Sequence, residues 1–539
     1  MSYRNNQLGN TTKPTPISLE IFRNLFTSIA DEMGVVLGRT AFSSNIKERQ
    51  DFSCAIFDAP GRMIAQAAHV PVHLGSMPAS VEAALRTFSF HPGDVIALND
   101  PYMGGTHLPD ITMIAPVFTD EKPKTLVGFS ANRAHHADIG GITPGSLPIS
   151  NELFQEGIII PPIKIISRGR VNREVIELLC RNSRTPTDRK GDLAAQMASC
   201  SIGEAGLKRI VAKYGLENTK LHVDAILDYS EKLTRSAISS IPNGTYVGKD
   251  FLEDDGFSPV QLPIVVSINV IDDHIEVDFS GTSEQTNGCM NAPLAIATSA
   301  VLYVIHCLVG ANVPAYDGVK RPITITAPIG SIVNPLPPAA VSGGNVETSQ
   351  RIVDVLLLAL SDAVPNLIPA GSQGTMNNIL VGGYDEARGR PFAYYETIGG
   401  GMGARPSQDG LSGIHTHMTN TMNTPIEALE LEYPFRVLRY SLRKGSGGSG
   451  KFSGGNGIIR DMEFLGQSKV TILSERRQIA PYGLNGGKPG GKGKNIFYRA
   501  DGKEIELPSK VTVEVSNGDV IRIITPGGGG WGQFQSNKL

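Results

Sequence analysis

The sequence predicts an α+β protein of several layers, with a helical subdomain and a glycine-rich, β-rich C-terminal portion. Apolar residues recur with the period of an α-helix between residues 187 and 233, whereas short apolar runs elsewhere are separated by turn sequences. Glycine makes up 60 of the 539 residues, about 11% against a usual value of about 7%, and its clusters are concentrated beyond residue 340. Short strands joined by glycine turns would produce that distribution.

The N-terminal region is predicted to open with a helix followed by a β-hairpin. Apolar residues between Phe22 and Met33 recur at i, i+3, i+4 and i+7, the stripe of a core-facing helix, and Gly34 is expected to end it. The apolar runs 52–57 and 63–65 flank the turn sequence Asp-Ala-Pro-Gly at 58–61. Two apolar runs around such a turn are typical of a hairpin.

The remaining elements follow from the same two periods. We expect a short helix at 80–85, a longer buried helix at 294–309, and strands at 95–98, 126–129, 264–271 and 274–279. Four regions result: an N-terminal α/β region at 1–186, a helical subdomain at 187–240, a mixed hairpin and helix region at 241–340, and a glycine-rich, β-rich region at 341–539.

Charge and composition exclude several classes of function. Lysine and arginine total 49 against 52 aspartate and glutamate, a formal net charge of -3, which argues against nucleic-acid binding and against a polybasic membrane surface. The N-terminal residues lack the apolar stretch of a secretory signal, and no apolar run reaches the roughly 20 residues of a membrane span. Five cysteines without a CxxC pair are typical of a reducing compartment, so we expect a cytoplasmic protein.

A cluster of histidines is the first sign of chemistry, because six of the eleven lie between residues 69 and 136. His107 and Asp110 are three residues apart in a loop that follows a predicted strand and could chelate one ion. His135 follows a second strand and would complete a three-ligand set, with His136 as its substitute. Imidazole and carboxylate ligands suit Zn, Mn or Fe. The alternative is that these histidines only satisfy turn and core hydrogen bonds.

Other polar residues are candidates for supporting roles. Asp51 and Asp138 could be a further ligand, orient a ligand or transfer a proton. His415 and His417 would share one face of an extended segment at about 6.6–6.8 Å, and a structural or substrate-lining role is favoured over a metal site because no Cys, Asp or Glu stands beside them. Asn345 lies in a polar, glycine-containing segment suited to recognising a small polar substrate.

Two further patterns predict no chemistry of their own. His69 and His73 flank Pro71 and are interpreted as ordinary buried histidines. Residues 445–452 satisfy the GxxxxGK pattern but place Phe452 where a phosphate-binding loop needs Ser or Thr. The sequence therefore predicts no nucleotide site in this chain.

Several motifs are recognisable together and span nearly the whole chain: residues 46–55, 73–78, 99–102, 104–110, 134–141, 343–345, 415–417 and 527–532. In combination they resemble the hydantoinase B / oxoprolinase family. Each motif alone is unspecific, but their order and extent are specific.

The resemblance implies one subunit of an ATP-dependent amidohydrolase acting on small cyclic amides such as hydantoins, 5-oxoproline or larger lactams. An actin-like, ATP-binding hydantoinase A-type subunit would phosphorylate the substrate carbonyl oxygen, so a hetero-oligomer is expected with ATP on the partner. The resemblance also assigns a divalent metal, Zn or Mn first and Fe as a further option, to His107, Asp110 and His135, with Asp51 as a fourth candidate.

The implied mechanism has a metal-activated water attack the phosphorylated carbonyl carbon, with His136 or Asp138 accepting its proton. Two alternatives remain open. The chain could be the metal-binding subunit of an ATP-dependent ketone carboxylase, or a non-catalytic partner that orders the ATPase subunit.

Overall fold

The structure, a computed structural model, describes residues 13–67, 70–73, 75–310, 313 and 317–533. Within these ranges helices combine with four β-sheets, so the predicted α+β class is confirmed. The helices are α1 (Pro16–Thr40), α2 (Ser44–Lys47), α3 (Met77–Thr87), α4 (Arg173–Arg181), α5 (Pro186–Tyr214), α6 (Leu216–Ile238), α7 (Leu294–Val309), α8 (Ser349–Ala363) and α9 (Ile426–Glu432). None of the described helices combines the length and the apolar character needed to cross a bilayer.

Two sheets are built from the first three-fifths of the chain. The first sheet is antiparallel, and its strands are β1 (Phe52–Asp58), β2 (Met63–Gln66), β3 (Val95–Leu98), β4 (Asp110–Phe118), β5 (Leu126–His135), β6 (Ile163–Ser167) and β7 (Arg170–Val171), in the spatial order β2-β1-β5-β4-β3-β6-β7. The second sheet contains β8 (Gly244–Leu252), β9 (Leu262–Ile271), β10 (His274–Asp278) and β11 (Ile323–Thr326), in the order β11-β10-β9-β8.

The C-terminal region supplies two antiparallel sheets. One has the order β13-β12-β16-β19 and the other the order β14-β15-β20-β17-β18. Their strands are β12 (Asn378–Asp385), β13 (Arg390–Glu396), β14 (Phe435–Arg443), β15 (Gly457–Phe464), β16 (Ser468–Leu473), β17 (Lys494–Tyr498), β18 (Glu504–Leu507), β19 (Lys510–Val515) and β20 (Val520–Ile524).

The long helices α1, α5 and α6 cover one face of the first sheet and share one apolar core with β1 and β2. Close approach is required there: a Cβ atom on Gly203 of α5 would lie 2.2 Å from Ser130 Oγ on β5 and 2.5 Å from Met33 Sδ on α1. Glycine is needed at this position because no side chain fits between the helix and the strand. The predicted helical stretch is thus a layer on the sheet that carries the candidate ligands, while the predicted domain boundaries stay predictions.

Several sequence-based predictions are confirmed with small shifts of boundary. The first hairpin is formed by β1 and β2, the strand predicted at 95–98 is β3, the helix predicted at 294–309 is α7, and β9 pairs with β10 in the second hairpin. The helix predicted at 80–85 is longer and is α3.

Three predictions of extent were wrong. Gly34 does not end α1, which continues to Thr40, because a helical glycine costs only about 1 kcal/mol and Leu37 beyond it is buried. Strand β5 continues past Phe129 to His135, since polar residues in its second half are paired on both sides. The region beyond 341 contains, besides its strands, the buried helix α8.

Candidate metal centre

The register between β4 and β5 creates the candidate site. Asp110, the first residue of β4, lies directly opposite His135, the last residue of β5. His107 belongs to the turn that enters β4, and its carbonyl oxygen accepts a hydrogen bond from the backbone N–H of Asp110 at 3.1 Å. A tight turn and one pair of opposed residues therefore bring together three side chains that the sequence predicted as ligands.

The three side chains are buried and close enough to hold one ion. His107 Nε2 lies 3.1 Å from Asp110 Oδ1, and His135 Nδ1 lies 3.0 Å from the same oxygen. One ligand atom from each residue lies within 4.8 Å of the other two. Burial opposes the charge on Asp110, but His107, together with hydrogen bonds from His135 and His73, outweighs it and holds the pKa of this carboxyl well below its ordinary value.

Neighbouring groups orient the candidate ligands. His107 Nδ1 lies 3.4 Å from the carbonyl oxygen of Ser342, which places a proton on Nδ1 and leaves the lone pair on Nε2 directed at Asp110. The other oxygen of Asp110, Oδ2, accepts a hydrogen bond from Thr106 Oγ1 at 2.7 Å. Such outer contacts fix the tautomer and direction of metal ligands.

The donor set fits a divalent cation. Lone pairs on Asp110 Oδ1 and His107 Nε2 face one another, an arrangement that needs a proton or a cation between them. The buried Nε2 of His135 and Oδ1 of Asn345 have no hydrogen-bond partner, so this wall contains polar groups that the protein leaves unsatisfied. Two imidazoles and a carboxylate are ligands suited to Zn, Mn or Fe.

A cavity of about 20 Å³ adjoins the cluster, enough for about one water molecule. Asp51 lines it, and none of the hydrogen bonds found among the described residues involves its carboxylate; the nearest cation is Arg49, whose Nη2 is 3.9 Å from Asp51 Oδ2. The full lining comprises Asp51, Val70, Val72, His73, Asp110, His135, Asn345, Val346, Met376, Tyr395, Thr397, Met418 and Thr419. The structure thus places the predicted fourth candidate, Asp51, at the cavity rather than within the three-residue cluster.

Sequence reasoning missed two residues of the site. His73, interpreted as an ordinary buried histidine, has Nε2 at 3.5 Å from Asp110 Oδ2 and Nδ1 at 2.8 Å from Ser53 Oγ. The ring of Tyr395 lies 4.8 Å from that of His135. Membership of His73 in the histidine cluster was a usable signal, whereas nothing in the local sequence marks Tyr395; His69 lies outside the described residues.

The two residues predicted as proton acceptors are not brought to the cluster. His136 Nε2 donates to Gln196 Oε1 at 2.8 Å on α5, and His136 Nδ1 contacts the guanidinium of Arg189. Asp138 Oδ2 accepts from Arg184 Nη1 at 2.9 Å, and its other oxygen accepts from backbone N–H groups. Alternation along the strand directs His136 to the face opposite that of His135, so we do not carry either predicted acceptor into the mechanism.

The remaining candidates lie around the cluster. Asn345 Nδ2 is 3.0 Å from His107 Nε2. His415 and His417 lie outside the three-residue group; both nitrogens of His415 and Nε2 of His417 are buried without hydrogen-bond partners, and burial lowers the pKa of each ring to about 4. His417 Nε2 is 3.9 Å from Asp354 Oδ1.

The orientation of the adjacent histidines predicts different effects of one substitution. We expect His136→Gln to retain the bound metal ion and to lower the melting temperature, since it disturbs only the buried contacts with Gln196 and Arg189. His135→Gln, the matched control, is expected to lose the ion. Elemental analysis after dialysis measures both, and loss of metal from the His136 variant alone would reverse the assignment.

The burial of His136 also predicts a pH dependence of stability. Burial, with Arg189 beside the ring, lowers its pKa far below the ordinary 6.5. The unfolded chain therefore binds a proton at His136 below pH 6.5 while the folded chain does not, and the free energy of unfolding falls as pH falls through that value. Urea unfolding between about pH 7.5 and 5 should show a shallower fall in His136→Gln than in wild type. Parallel curves for the two proteins would contradict this.

Comparison with known proteins places this geometry in context. A family model described as hydantoinase B/oxoprolinase matches residues 15–534. The chain is 43% identical over 522 residues to an uncharacterized protein of Methanocaldococcus jannaschii, covering 96% of this chain and 90% of that protein. It is 40% identical to 5-oxoprolinase 1 of Arabidopsis thaliana, covering 96% of this chain but 42% of that protein, so it spans about two-fifths of this longer relative. It is 34% identical to the B-type subunit of a putative D-/L-hydantoinase of a Pseudomonas species, with 96% and 90% covered.

Solved structures match over nearly the whole chain. The ATP-dependent caprolactamase from Pseudomonas jessenii superposes with a TM-score of 0.90 at 27% identity, covering 97% of this chain and 92% of that one. Acetone carboxylase in its nucleotide-free form superposes with a TM-score of 0.89 at 20% identity, covering 96% of this chain and 76% of that one. The second likeness is one of fold.

Proposed function

The chain belongs to the hydantoinase B/oxoprolinase family, and from that premise we propose that it is the ring-opening subunit of an ATP-dependent cyclic-amide hydrolase. The observation that carries the proposal is the buried group of His107, Asp110 and His135 beside a water-sized cavity, which is lined by a carboxylate without a hydrogen bond. Relatives described as a 5-oxoprolinase, a hydantoinase component and a caprolactamase support a cyclic amide as the substrate.

The ATP-dependent step is assigned to a partner, an actin-like hydantoinase A-type subunit. The name of the Pseudomonas relative, which describes one lettered component of a hydantoinase, supports this division of labour. The GxxxxGK-like segment at 445–452 supports it as well, because it leads into a loop and strand β15 rather than into the helix that a phosphate-binding loop requires.

The chemistry begins from a resonance-stabilised amide, which resists attack by water. Phosphorylation of the carbonyl oxygen by the partner would remove that resonance and create a leaving group. His107, Asp110 and His135 would hold a divalent cation, Zn or Mn first, which supplies Lewis-acid polarisation and a lowered pKa for a water that it binds. The apolar wall of the cavity, which includes Val72 and Met376, would exclude other water.

Asp51 is the proposed proton acceptor. Its carboxylate faces the cavity without a hydrogen bond, so it is free to take a proton from a water held there. Arg49 keeps it in place electrostatically: the guanidinium is fully buried, donates to the carbonyl oxygen of Tyr395 at 2.9 Å and lies 4.6 Å from the centre of the Tyr395 ring. Asp51 thereby takes the role that the sequence analysis gave to His136 or Asp138.

Substrate entry requires the cavity wall to move, because about 20 Å³ holds a water molecule but no ring. Met418 and Thr419 form part of this wall and continue directly from His415 and His417. The unpaired nitrogens of these two histidines would then offer hydrogen bonds to a polar ring, which is the substrate-lining role proposed for them.

The proposal is tested by assaying the chain together with its ATP-binding partner. A panel of hydantoins, 5-oxoproline and larger lactams is incubated with and without ATP and with and without bicarbonate, and products are identified by mass spectrometry. We expect ring-opened product that depends on ATP and not on bicarbonate. A product carboxylated only in the presence of bicarbonate, or turnover unchanged by loss of the cluster histidines, would contradict the proposal.

A further inference from the structure

Asn345 stands at the cluster because of an irregular turn that precedes α8. Residues Gly344–Thr348 form a π-helical turn, and Asn345 projects from it so that its side chain lines the cavity and reaches His107. π-helical turns within helices occur frequently at functional sites. The turn is held rigidly, since a Cβ atom on Gly344 would lie 1.9 Å from the carbonyl oxygen of Asn291 and Ser349 Oγ donates to the carbonyl oxygen of Asn345 at 2.7 Å.

The same segment contacts both nitrogens of His107. The carbonyl oxygen of Ser342 lies 3.4 Å from Nδ1, and the side-chain amide of Asn345 lies 3.0 Å from Nε2. The first contact keeps the proton on Nδ1, so Nε2 carries its lone pair toward Asn345 and Asp110. The position of Asn345 relative to the ligand atom of His107 is therefore set by the backbone of one short segment.

The amide orientation and metal binding exclude one another. As placed, Asn345 Nδ2 donates to His107 Nε2, and Asn345 Oδ1 is buried without a hydrogen-bond partner. One lone pair on Nε2 cannot both accept this hydrogen bond and bind a cation. When the cation is bound, an amino group facing the cluster would be a donor without an acceptor.

Turning the amide resolves the conflict. The oxygen and nitrogen of an asparagine amide have nearly the same shape, and their assignment follows the hydrogen-bond network. After the turn, Asn345 Oδ1 occupies the position now held by Nδ2, 3.0 Å from His107 Nε2 and facing the cluster. An amide oxygen there is a hard, neutral ligand of the kind that binds divalent cations.

We infer that Asn345 is the fourth protein ligand of the cation, through Oδ1, beside His107, Asp110 and His135. This inference rests on the cation site of the proposed function. It assigns two imidazole nitrogens, one carboxylate oxygen and one amide oxygen to the ion, and it leaves Asp51 free to act on the water. The sequence analysis had considered Asn345 for a supporting or substrate-binding role.

The test uses the full chain with Asn345→Ala and Asn345→Asp, and the readouts are metal affinity and the absorption spectrum of the cobalt-loaded protein. Zinc dissociation constants are measured by chelator competition. We expect Asn345→Ala to weaken binding about tenfold or more and to shift the cobalt d–d bands, and Asn345→Asp, which restores an oxygen, to recover affinity to within a few-fold of wild type. Ser349→Ala, which loses only the contact to the Asn345 carbonyl, is the matched control and should stay near wild type.

The outcomes separate the inference from the proposed function. Wild-type affinity and an unchanged cobalt spectrum in Asn345→Ala would overturn the ligand assignment while leaving the cation site intact. A wild-type chain that binds no stoichiometric ion would instead remove the cation site itself. If Asn345→Ala does not fold, Asn345→Asp decides, because exchanging an amide oxygen for a carboxylate in the coordination sphere must shift the cobalt bands and an unshifted spectrum refutes it.

Discussion

Replacing His107 with alanine is expected to abolish ATP-dependent ring opening and metal retention together. His107 contributes the ligand nitrogen closest to Asp110 on the turn that enters β4, and its removal leaves the buried Asp110 carboxylate facing only His135 and His73. A buried carboxylate deprived of a partner is also costly, so the variant should bind the ion weakly even when metal is supplied in excess. Product analysis of the complex and elemental analysis of the same sample measure the two effects.

A histidine remote from the cluster supplies the control for the His107 experiment. His274 lies at the start of β10, where the one side-chain hydrogen bond found for it among the described residues is to Thr324, and His274→Ala should keep both activity and metal. Full activity of His107→Ala in a preparation verified to be metal-free would remove the mechanism, because no other group in the proposal activates water.

Replacing Asp51 with asparagine is expected to reduce turnover by about 10²–10⁴-fold while the metal content stays at the wild-type level. Asparagine keeps the size of the side chain and its contact with the cavity, but it cannot accept a proton. Steady-state kcat with the activated substrate supplied by the partner, together with elemental analysis, distinguishes the two roles considered for Asp51. A variant that loses its ion would show Asp51 to be a ligand, and one with unchanged kcat would leave the proposed proton acceptor without support.

The matched control for Asp51 is Asp58 at the far end of the adjoining strand β1. Asp58 is also buried, but its carboxylate is paired with Arg62 and is not among the residues lining the cavity. Asp58→Asn is therefore expected to lower stability and to leave kcat unchanged. A comparable loss of kcat in the control would indicate that any buried change in or beside β1 disturbs the site.

Local patterns were sufficient to predict much of the fold. The first hairpin, strand β3 and helix α7 were found because their apolar residues repeat with a period visible within about ten residues. The errors came where packing overrode a local signal. Gly34 continues α1 because the helix is held against the sheet on both sides of it, and β5 runs on through polar residues because both neighbouring strands pair with it.

The candidate site divides in the same way. The spacing of His107 and Asp110 predicted two members, because a short turn confines their distance. Sequence could not decide between His135 and His136, since a shift of one residue turns a side chain to the other face of the sheet. The observed register settles their placement by setting His135 opposite Asp110 and directing His136 to Gln196 on α5.

By itself the sequence determined the fold class, the kinds of ligand available and the family motifs, because these depend on residue type and short-range order. Only the tertiary structure decided which side chains meet. Asp51, His73 and Asn345 come to one cavity from separate parts of the chain, and Tyr395 joins them from a C-terminal strand. The physical reason is that periodicity reports the face of a single element, whereas the meeting of faces depends on how layers from distant segments pack against each other.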